Sequence, residues 1–442
     1  MMNLFNKIKR KWFVRNKKRA RSKISLGFSR FSKKKVKKIR KYNFKNSIVI
    51  SLLILLLLLL VFWIGFCIYK VINLKLNLAY KDSISQDRED WTAEDKINLL
   101  LVGMDSREDS YGYIDALAIL MLDPRDHSVG IFNINSNVSV FLAEQDKYVK
   151  IKSLYNEGIF SGNSVPISLV IQGVEDLTSI RIDRYIMLNE DETVNIVDSL
   201  GGVYINNSQE IIDKDISGGN GSFNLKSGSF RLTGNDFLNY LRVDDDGVDN
   251  KLMRQVDGLE GFLKRVSSYM LFIKFPYIID EISDEVYTDL TKKELFYFAY
   301  EVMRLSDIRS SYMKESSLNK VDGILLVVED ELDKDIQTVF IDNSVGKEQA
   351  RVEIFNSTSI KGLAAYRARW LRNIGVDVIR VGDSAEVFEK TTIYTREKGK
   401  YDNTINAVVE SFPEEFEIYE GEMPGWVCTG DIIIVLGNNG EV

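Results

Sequence analysis

KINLLLVGMDSREDSYGYIDALAILMLDPRDHSVGIFNINSNV, residues 96–138, holds three apolar runs separated by turn residues. Residues 97–102 form a Leu/Val run of strand length that stops at Gly103, with Asp105, Ser106 and Arg107 directly behind it. Asp115 opens the second run, 116–122, and Pro124-Arg-Asp-His turns the chain into the third, 129–134. Runs this short between turn signals predict buried strands of an α/β sheet. Two carboxylates and an arginine at the mouths of such strands stand where α/β sheets place a ligand. The plainer alternative takes Asp105 and Asp115 as turn residues that merely flank strands.

Outward from this stretch the chain changes character. Residues 1–45 hold 19 of the 58 Lys and Arg and no acid, which leaves 39 basic against 64 acidic residues downstream. Residues 47–69 carry no charge over 23 positions, about 34 Å as a helix and enough to cross a hydrocarbon core. The run is too long for a cleaved signal peptide, and no A-x-A-like site follows it. By the positive-inside rule the basic tail is cytoplasmic and the rest of the chain lies outside. The tail could address nucleic acid or anionic headgroups. Beside a span the headgroup reading is preferred, so no nucleic-acid partner is expected. A single histidine, His127, sits in a polar turn where it is expected to be solvated. It argues against a His-rich metal site or a Ser-His-Asp triad. Cys67 and Cys428 support no disulfide framework.

A chain of 442 residues allows two or three domains. The divisions expected are a basic tail (1–46), a span (47–70), a polar tether (71–95), a larger α/β domain (96–348) and a small α/β domain (349–442). Within the larger one, 164–179 is a helix with Ile167, Val170, Ile171, Val174 and Leu177 on one face. A strand is expected over 180–188, a short helix over 194–200 closed by Gly201-Gly202, and a strand over 203–206. After a glycine-rich loop, 217–222, a helix over 232–242 would deliver Tyr240 and Arg242 to the site. An acidic loop, Asp244-Asp-Asp-Gly-Val-Asp, leads into a long helix from Lys251 that bears Arg254 and Gln255. Residues 277–346 read as mixed, with a helix over 292–305 and a strand over 323–328. From Arg351 the order is strand, helix (362–374), strand, short strand (393–395), helix (404–411) and final strand (431–436). Three ambiguities stand. Asp244–Asp246 read as a cation site or a solvated turn, Arg254 as a phosphate ligand or a surface residue, and Tyr240 as packing or site lining.

NLLLVGMDSR (98–107), Asp115, Lys150-Ile, Ile182-Asp-Arg-Tyr, VDSLGGV (197–203), Leu232-Thr-Gly, Tyr240-Leu-Arg and Arg254-Gln follow one another in a recognisable order. With them the chain resembles the LytR–CpsA–Psr family, whose members attach glycopolymers to the bacterial cell wall. VEIFNST (352–358), Gly362-Leu-Ala, Leu371, Gly375 and IIIVLG (432–437) resemble the LytR C-terminal domain. The resemblance implies a single-pass protein of the bacterial cytoplasmic membrane with an α/β/α sandwich outside. It also implies phosphotransfer from a polyprenyl-diphosphate-linked glycopolymer to peptidoglycan, with membrane lipids as further partners. Its catalytic positions fall on Asp105, Arg107 and Asp115, and Mg²⁺ falls to Asp105 and Asp115. The diphosphate falls to Arg107, Arg242, Lys251 and Arg254, and the lipid tail to an apolar pocket. Phosphoryl transfer needs charge neutralisation and in-line positioning more than covalent help, and Mg²⁺ takes few carboxylates beside phosphate oxygens. The chain departs from the family pattern at Tyr113-Ile-Asp115, Asn135-Ser-Asn137, Asp244 and Lys251, each where the family carries an arginine. A second reading therefore stands beside the enzyme: a module that binds a lipid-linked envelope precursor or wall component without turnover.

Overall fold

With no proline and no acid to interrupt it, the stretch Val36–Asn73 is one helix, α1. Its stretch Ser51–Lys70, mean hydropathy 3.0, is the one helix among the described residues long and apolar enough to cross a membrane. Helical geometry also takes in the basic residues from Val36, upstream of the apolar run. The computed structural model describes residues 36–73, 90–105, 112–213, 222–244, 247–268, 274 and 286–440. From Phe66 onward the chain packs as one compact unit.

The three apolar runs become β1 (Ile97–Asp105), β2 (Tyr113–Asp123) and β3 (Ser128–Asn133), an antiparallel meander. A hairpin, β4 (Ser139–Leu142) with β5 (Lys147–Lys150), leads into α2 (Leu154–Phe160) and α3 (Pro166–Thr178). β6 (Arg184–Leu188) returns parallel to β1. Next come α4 (Glu190–Ser199), β7 (Val203–Asn207), β8 (Ile211–Asp213), β9 (Phe223–Leu225), β10 (Gly228–Leu232), α5 (Gly234–Arg242) and the long α6 (Val248–Val266). β11 (Tyr287–Thr288), α7 (Lys292–Val302), β12 (Asp307–Tyr312), β13 (Leu318–Val321), β14 (Ile324–Val327), α8 (Glu329–Phe340) and α9 (Asn343–Glu348) complete the larger domain.

Its sheet has the order β11-β6-β1-β2-β3-β12. One face, with Leu100, Val102, Ile119 and Phe132, packs on Ile167, Val170 and Val174 of α3 and on Ile336 and Val339 of α8. The other, with Leu99, Leu120 and Ile131, meets Leu263 of α6 and Val302 of α7. The sheet is thus covered on both sides, an α/β/α sandwich.

The small domain runs β15 (Arg351–Asn356), α10 (Leu363–Asn373), β16 (Asp377–Asp383), β17 (Thr391–Thr395), α11 (Asp402–Ser411), β18 (Phe416–Glu420) and β19 (Ile432–Leu436). Its sheet order is β16-β15-β19-β17-β18, with α10 and α11 against one face. Polar bonds join it to the sandwich. Arg369 grips Asp333 at 2.8–3.0 Å, Asn373 donates to Thr178 O at 3.0 Å, and Arg181 donates to Phe412 O at 2.9 Å.

The structure corrects several sequence expectations. Residues 90–95 are not free tether: Trp91 is buried, its N–H donates to Glu294 Oε1 (2.9 Å) and its ring N–H to Asp95 O (2.9 Å). α4 starts at Glu190, ahead of the expected 194, because Asn189 and Glu192 form a reciprocal capping box over an acidic first turn. β6 begins only at Arg184. β12 and β18 were not legible as strands. Both are polar edge strands, and the hydrogen bonds of the neighbouring strand, not apolar burial, hold them. His127 is only partly solvated: its side chain is 29% exposed, its Nδ1 lies 3.0 Å from Glu301 Oε2 and Arg304 Nη2 lies 2.8 Å from its Nε2. Cys67 and Cys428 are unbridged, as expected.

Candidate functional site at the end of the first hairpin

β1 and β2 pair regularly as far as Gly103–Ala116, after which Met104 pairs with Ile114 and Asp105 with Tyr113. Asp115 is the extra residue of a bulge, a device that re-aims a side chain at a strand end. Alternate positions of paired strands share a face. Gly103, Asp105 and Ala116 therefore lie on the α6 side of the sheet, and the bulge turns Asp115 to that side too, with both carboxylates partly open to solvent.

The first turns of α6 lie over this hairpin end. Lys251 Nζ donates to Asp115 Oδ1 at 2.8 Å, the side chains being 20% and 31% exposed. Gln255, one turn on, accepts from Asn133 Nδ2 at 2.8 Å and ties α6 to β3. Beyond β3, Ile134 N still donates to Leu117 O, so Asn135 continues the strand opposite Ala116. The Asn135 side-chain Oδ1 accepts from Asn137 N (2.9 Å), while its buried Nδ2 has no hydrogen-bond partner.

The other candidates diverge. Arg242, at the C-terminal end of α5, is buried and forms an ion pair with Glu190, the first residue of α4. Arg254 is 3% exposed, not a surface residue, and its Nη2 donates to Val243 O. Tyr240 packs into the small core of Val203, Leu232 and Phe237. Burial, together with the neighbouring Asp257, raises its hydroxyl pKa. Tyr240 is packing and does not line the cavity. Asp244 is exposed and closes a turn by accepting from Gly247 N (3.2 Å). Arg107, Asp245 and Asp246 lie outside the described residues.

Beside the aspartates opens an apolar cavity of about 320 Å³. At the polar end Gly103, Ala116, Asn133 and Gln255 line it; deeper, Leu259, Phe262, Leu263 and Val266 of α6 continue one stripe. Leu188, Ile196 and Leu200 close it on one side, and Phe296, Ala299 and Val302 of α7 on the other. The spacing 255, 259, 262, 263, 266 is the helical apolar period, legible in the sequence once α6 is placed.

Residues 68–339 match the LytR_cpsA_psr family. The chain belongs to this family. Residues 349–439 match LytR_C, the LytR cell envelope-related transcriptional attenuator family. Among curated relatives, a protein of Halalkalibacterium halodurans named polyisoprenyl-teichoic acid–peptidoglycan teichoic acid transferase TagU is 29% identical over 206 residues. The match spans 46% of this chain and 63% of that relative, less than two thirds of its length. A protein of the same name from Oceanobacillus iheyensis is 26% identical over 274 residues, 60% of this chain and 83% of the relative. A crystal structure of B. subtilis TagV shares 20% identity at a TM-score of 0.45, covering 55% of this chain and 94% of that one. A structure of TagT bound to LI-WTA shares 19% identity at 0.44, covering 60% and 99%.

In this LytR_cpsA_psr member the departures from the expected family pattern divide: Tyr113 and Lys251 stand at the hairpin end, Asn135 lies opposite Ala116, and Asp244 closes an exposed turn. Lys251 holds Asp115, Asn135 keeps a buried donor, and Tyr113 carries Lys152 Nζ 5.7 Å above its ring. Among the described residues no group of three acids, histidines or cysteines is placed to hold a metal. Two carboxylates on one face fit the protein's share of a Mg²⁺ shell whose other oxygens come from phosphate and water. Sequence reasoning missed Glu190, Asn133 and the Asn135 amide, because each acquires meaning only from a neighbour distant in the chain.

Proposed function

We propose that the protein is a membrane-anchored, extracytoplasmic phosphotransferase that moves glycopolymer from a polyprenyl-diphosphate carrier to peptidoglycan. The observation that carries this reading is the apolar cavity opening directly beside the Asp105–Asp115 hairpin end. A lipid tail belongs in such a cavity and its two phosphates at the polar rim, so the ligand's amphiphilic pattern matches that of the protein. The basic tail supports a cytoplasmic N-terminus, with the α/β domains outside. Relatives named as transferases support turnover over binding alone.

Asp105 and Asp115 would hold Mg²⁺, which when bound supplies neutralisation of diphosphate charge. Lys251 stands beside Asp115 and donates to a phosphate oxygen. Arg107, Arg242 and Arg254 are the further phosphate candidates, Arg242 after it leaves Glu190. The buried Asn135 Nδ2 is a neutral donor near the position of a lost arginine. In the transfer a peptidoglycan sugar hydroxyl attacks the phosphorus bearing the glycopolymer. A new P–O bond forms, the diphosphate bridge breaks, the hydroxyl proton is released to bulk water, and polyprenyl phosphate leaves. The apolar walls keep the tail still and exclude water from beside the phosphates.

The test is mass spectrometry of the full chain purified from membranes. Wild type is expected to carry a polyprenyl phosphate or diphosphate, and Leu259→Arg, which puts a charge in the cavity wall, to lose it. An empty wild-type cavity overturns the lipid assignment. Bound lipid that is never released in the presence of Mg²⁺ and acceptor favours binding without turnover.

A further inference from the structure

At the end of α6 away from Lys251, three cations crowd one turn. Lys274 Nζ donates to Ser199 O at 2.9 Å. Arg265 donates through Nε and Nη2 to Leu200 O at 3.2 and 2.7 Å. A Cβ on Gly201 would meet Lys274 Nζ at 2.8 Å and Arg265 Nη2 at 3.5 Å, and one on Gly202 would meet Arg231 Nε at 3.5 Å. The three head groups therefore ring the Gly201-Gly202 turn.

Capping of the α4 C-terminus accounts for part of this. The last carbonyls of a helix attract cations, and here two carbonyls take one Lys274 donor and two Arg265 donors. Capping does not explain the exposed Arg231, nor the N–H groups left over on the other two. Among the described residues no carboxylate pairs with Arg231, Arg265 or Lys274. Burial first, then Arg265 and Arg231, hold the Lys274 ammonium below its usual range, as an uncompensated cationic field would. Tyr204, 59% exposed, stands directly across the β7–β10 ladder from Arg231, and the Arg265 guanidinium lies 6.0 Å from its ring centre.

The turn is also the far end of the apolar cavity. Leu200, whose carbonyl holds Arg265, lines the cavity, as does Val266, the residue after Arg265. Lys251 and Arg265 both lie in α6, 14 positions apart, or about 21 Å of helix. One end of the cavity meets the paired carboxylates; the other meets a tyrosine and three cations.

An exposed tyrosine among Lys and Arg that no described carboxylate pairs suits the headgroup layer of an anionic bilayer, where each cation adds about fivefold to partitioning. The same chain carries the membrane-spanning candidate Ser51–Lys70, so a bilayer surface is always within the reach of this domain. We propose that Tyr204, Arg231, Arg265 and Lys274 dock on the phosphate headgroups of the bilayer. The Leu200–Val266 end of the cavity then faces the lipid, with Lys251 about 21 Å farther along α6 than Arg265. This goes beyond the transfer reading and does not depend on it.

The test is hydrogen–deuterium exchange of the full chain reconstituted into vesicles of phosphatidylcholine alone or with phosphatidylglycerol. Residues around 199–206 and 228–232 are expected to exchange more slowly in the anionic vesicles, and high salt is expected to remove the difference. Arg231→Ala, an exposed position with no capping role, is expected to weaken docking about fivefold. Lys264→Ala, on the same helix but paired with Glu260, is expected to leave it unchanged. Equal exchange in the two vesicle types overturns the proposal. So does equal protection by inorganic phosphate on the detergent-solubilised chain, which would make the turn a site for small anions. Because exchange and not transfer is read, docking and transfer can fail separately.

Discussion

Lys251→Ala separates a structural from a functional role for a cation that touches a candidate carboxylate. The pair with Asp115 spans 2.8 Å, with side chains 20% and 31% exposed. An ion pair this open to water contributes about 0.2–1 kcal/mol to folding. A domain of this size then loses at most about 2–4 °C in Tm. If the same ammonium donates to a substrate phosphate in the transition state, the charged hydrogen bond is worth about 1.5–3 kcal/mol. That converts to a fall in kcat/KM of about 10- to 150-fold. The assay is transfer from a synthetic polyprenyl-diphosphate-linked sugar to a peptidoglycan oligosaccharide, read by mass spectrometry on the reconstituted chain beside a thermal melt. Lys251→Arg, which keeps the charge and adds a fork that fits phosphate, is expected to retain transfer. Unchanged kcat/KM in Lys251→Ala with an intact fold refutes the role. So does a loss of transfer that only follows a large drop in Tm.

Three further outcomes are expected. Asp115→Asn should raise the Mg²⁺ concentration needed for transfer at least about 10- to 100-fold, since even outer partners of a metal cost that much; unaltered Mg²⁺ dependence removes the metal role. Glu294 is fully buried, and although burial alone would raise its pKa, the N–H groups of Thr291 and Trp91 and the Arg184 guanidinium hold it below the ordinary range. Its stabilising effect is therefore present at neutral pH and is lost as pH falls through that lowered value. Glu294→Ala should cost about 3–5 kcal/mol in denaturant unfolding, because it strips a buried arginine of its carboxylate. A negligible loss would mean that the pair does not hold Trp91 and β6 in place. Glu410, at the joint of the two α/β domains, is pushed from 4.5 up to about 7 by burial, against the pull of Arg125 and Lys96. Folding favours its protonated form, so stability should fall as pH rises from 4.5 to about 7, by at most about 3 kcal/mol. Glu410→Gln should flatten that slope in thermal melts across the window, and an unchanged slope would place the charge in water.

Local chemistry made much of the fold readable. The β1–β2–β3 meander follows from three apolar runs and their turn residues, α3 from its period, and the apolar stretch of α1 from its length and lack of charge. Elements that draw their stability from neighbours were hidden. β12 and β18 are polar edge strands, α4 starts on four polar residues under a capping box, and Trp91 is recruited from an apparently solvated stretch by Glu294, far along the chain.

The candidate site divides in the same way. Which residue types can meet a diphosphate (Asp105, Asp115, Lys251 and the arginines) is a property of the sequence, because charge and hydrogen-bonding capacity belong to each side chain alone. So is membrane anchoring, because a single helix satisfies its own backbone in lipid and needs only length and apolar composition. Which of those groups meet was decided by tertiary structure alone. Lys251 reaches Asp115 across 136 positions, Arg242 turns to Glu190, and the apolar cavity is bounded by β1, β2, β3 and β6 together with α4, α5, α6 and α7. Distances of a few ångströms between remote positions depend on how two layers pack, and no local pattern encodes that.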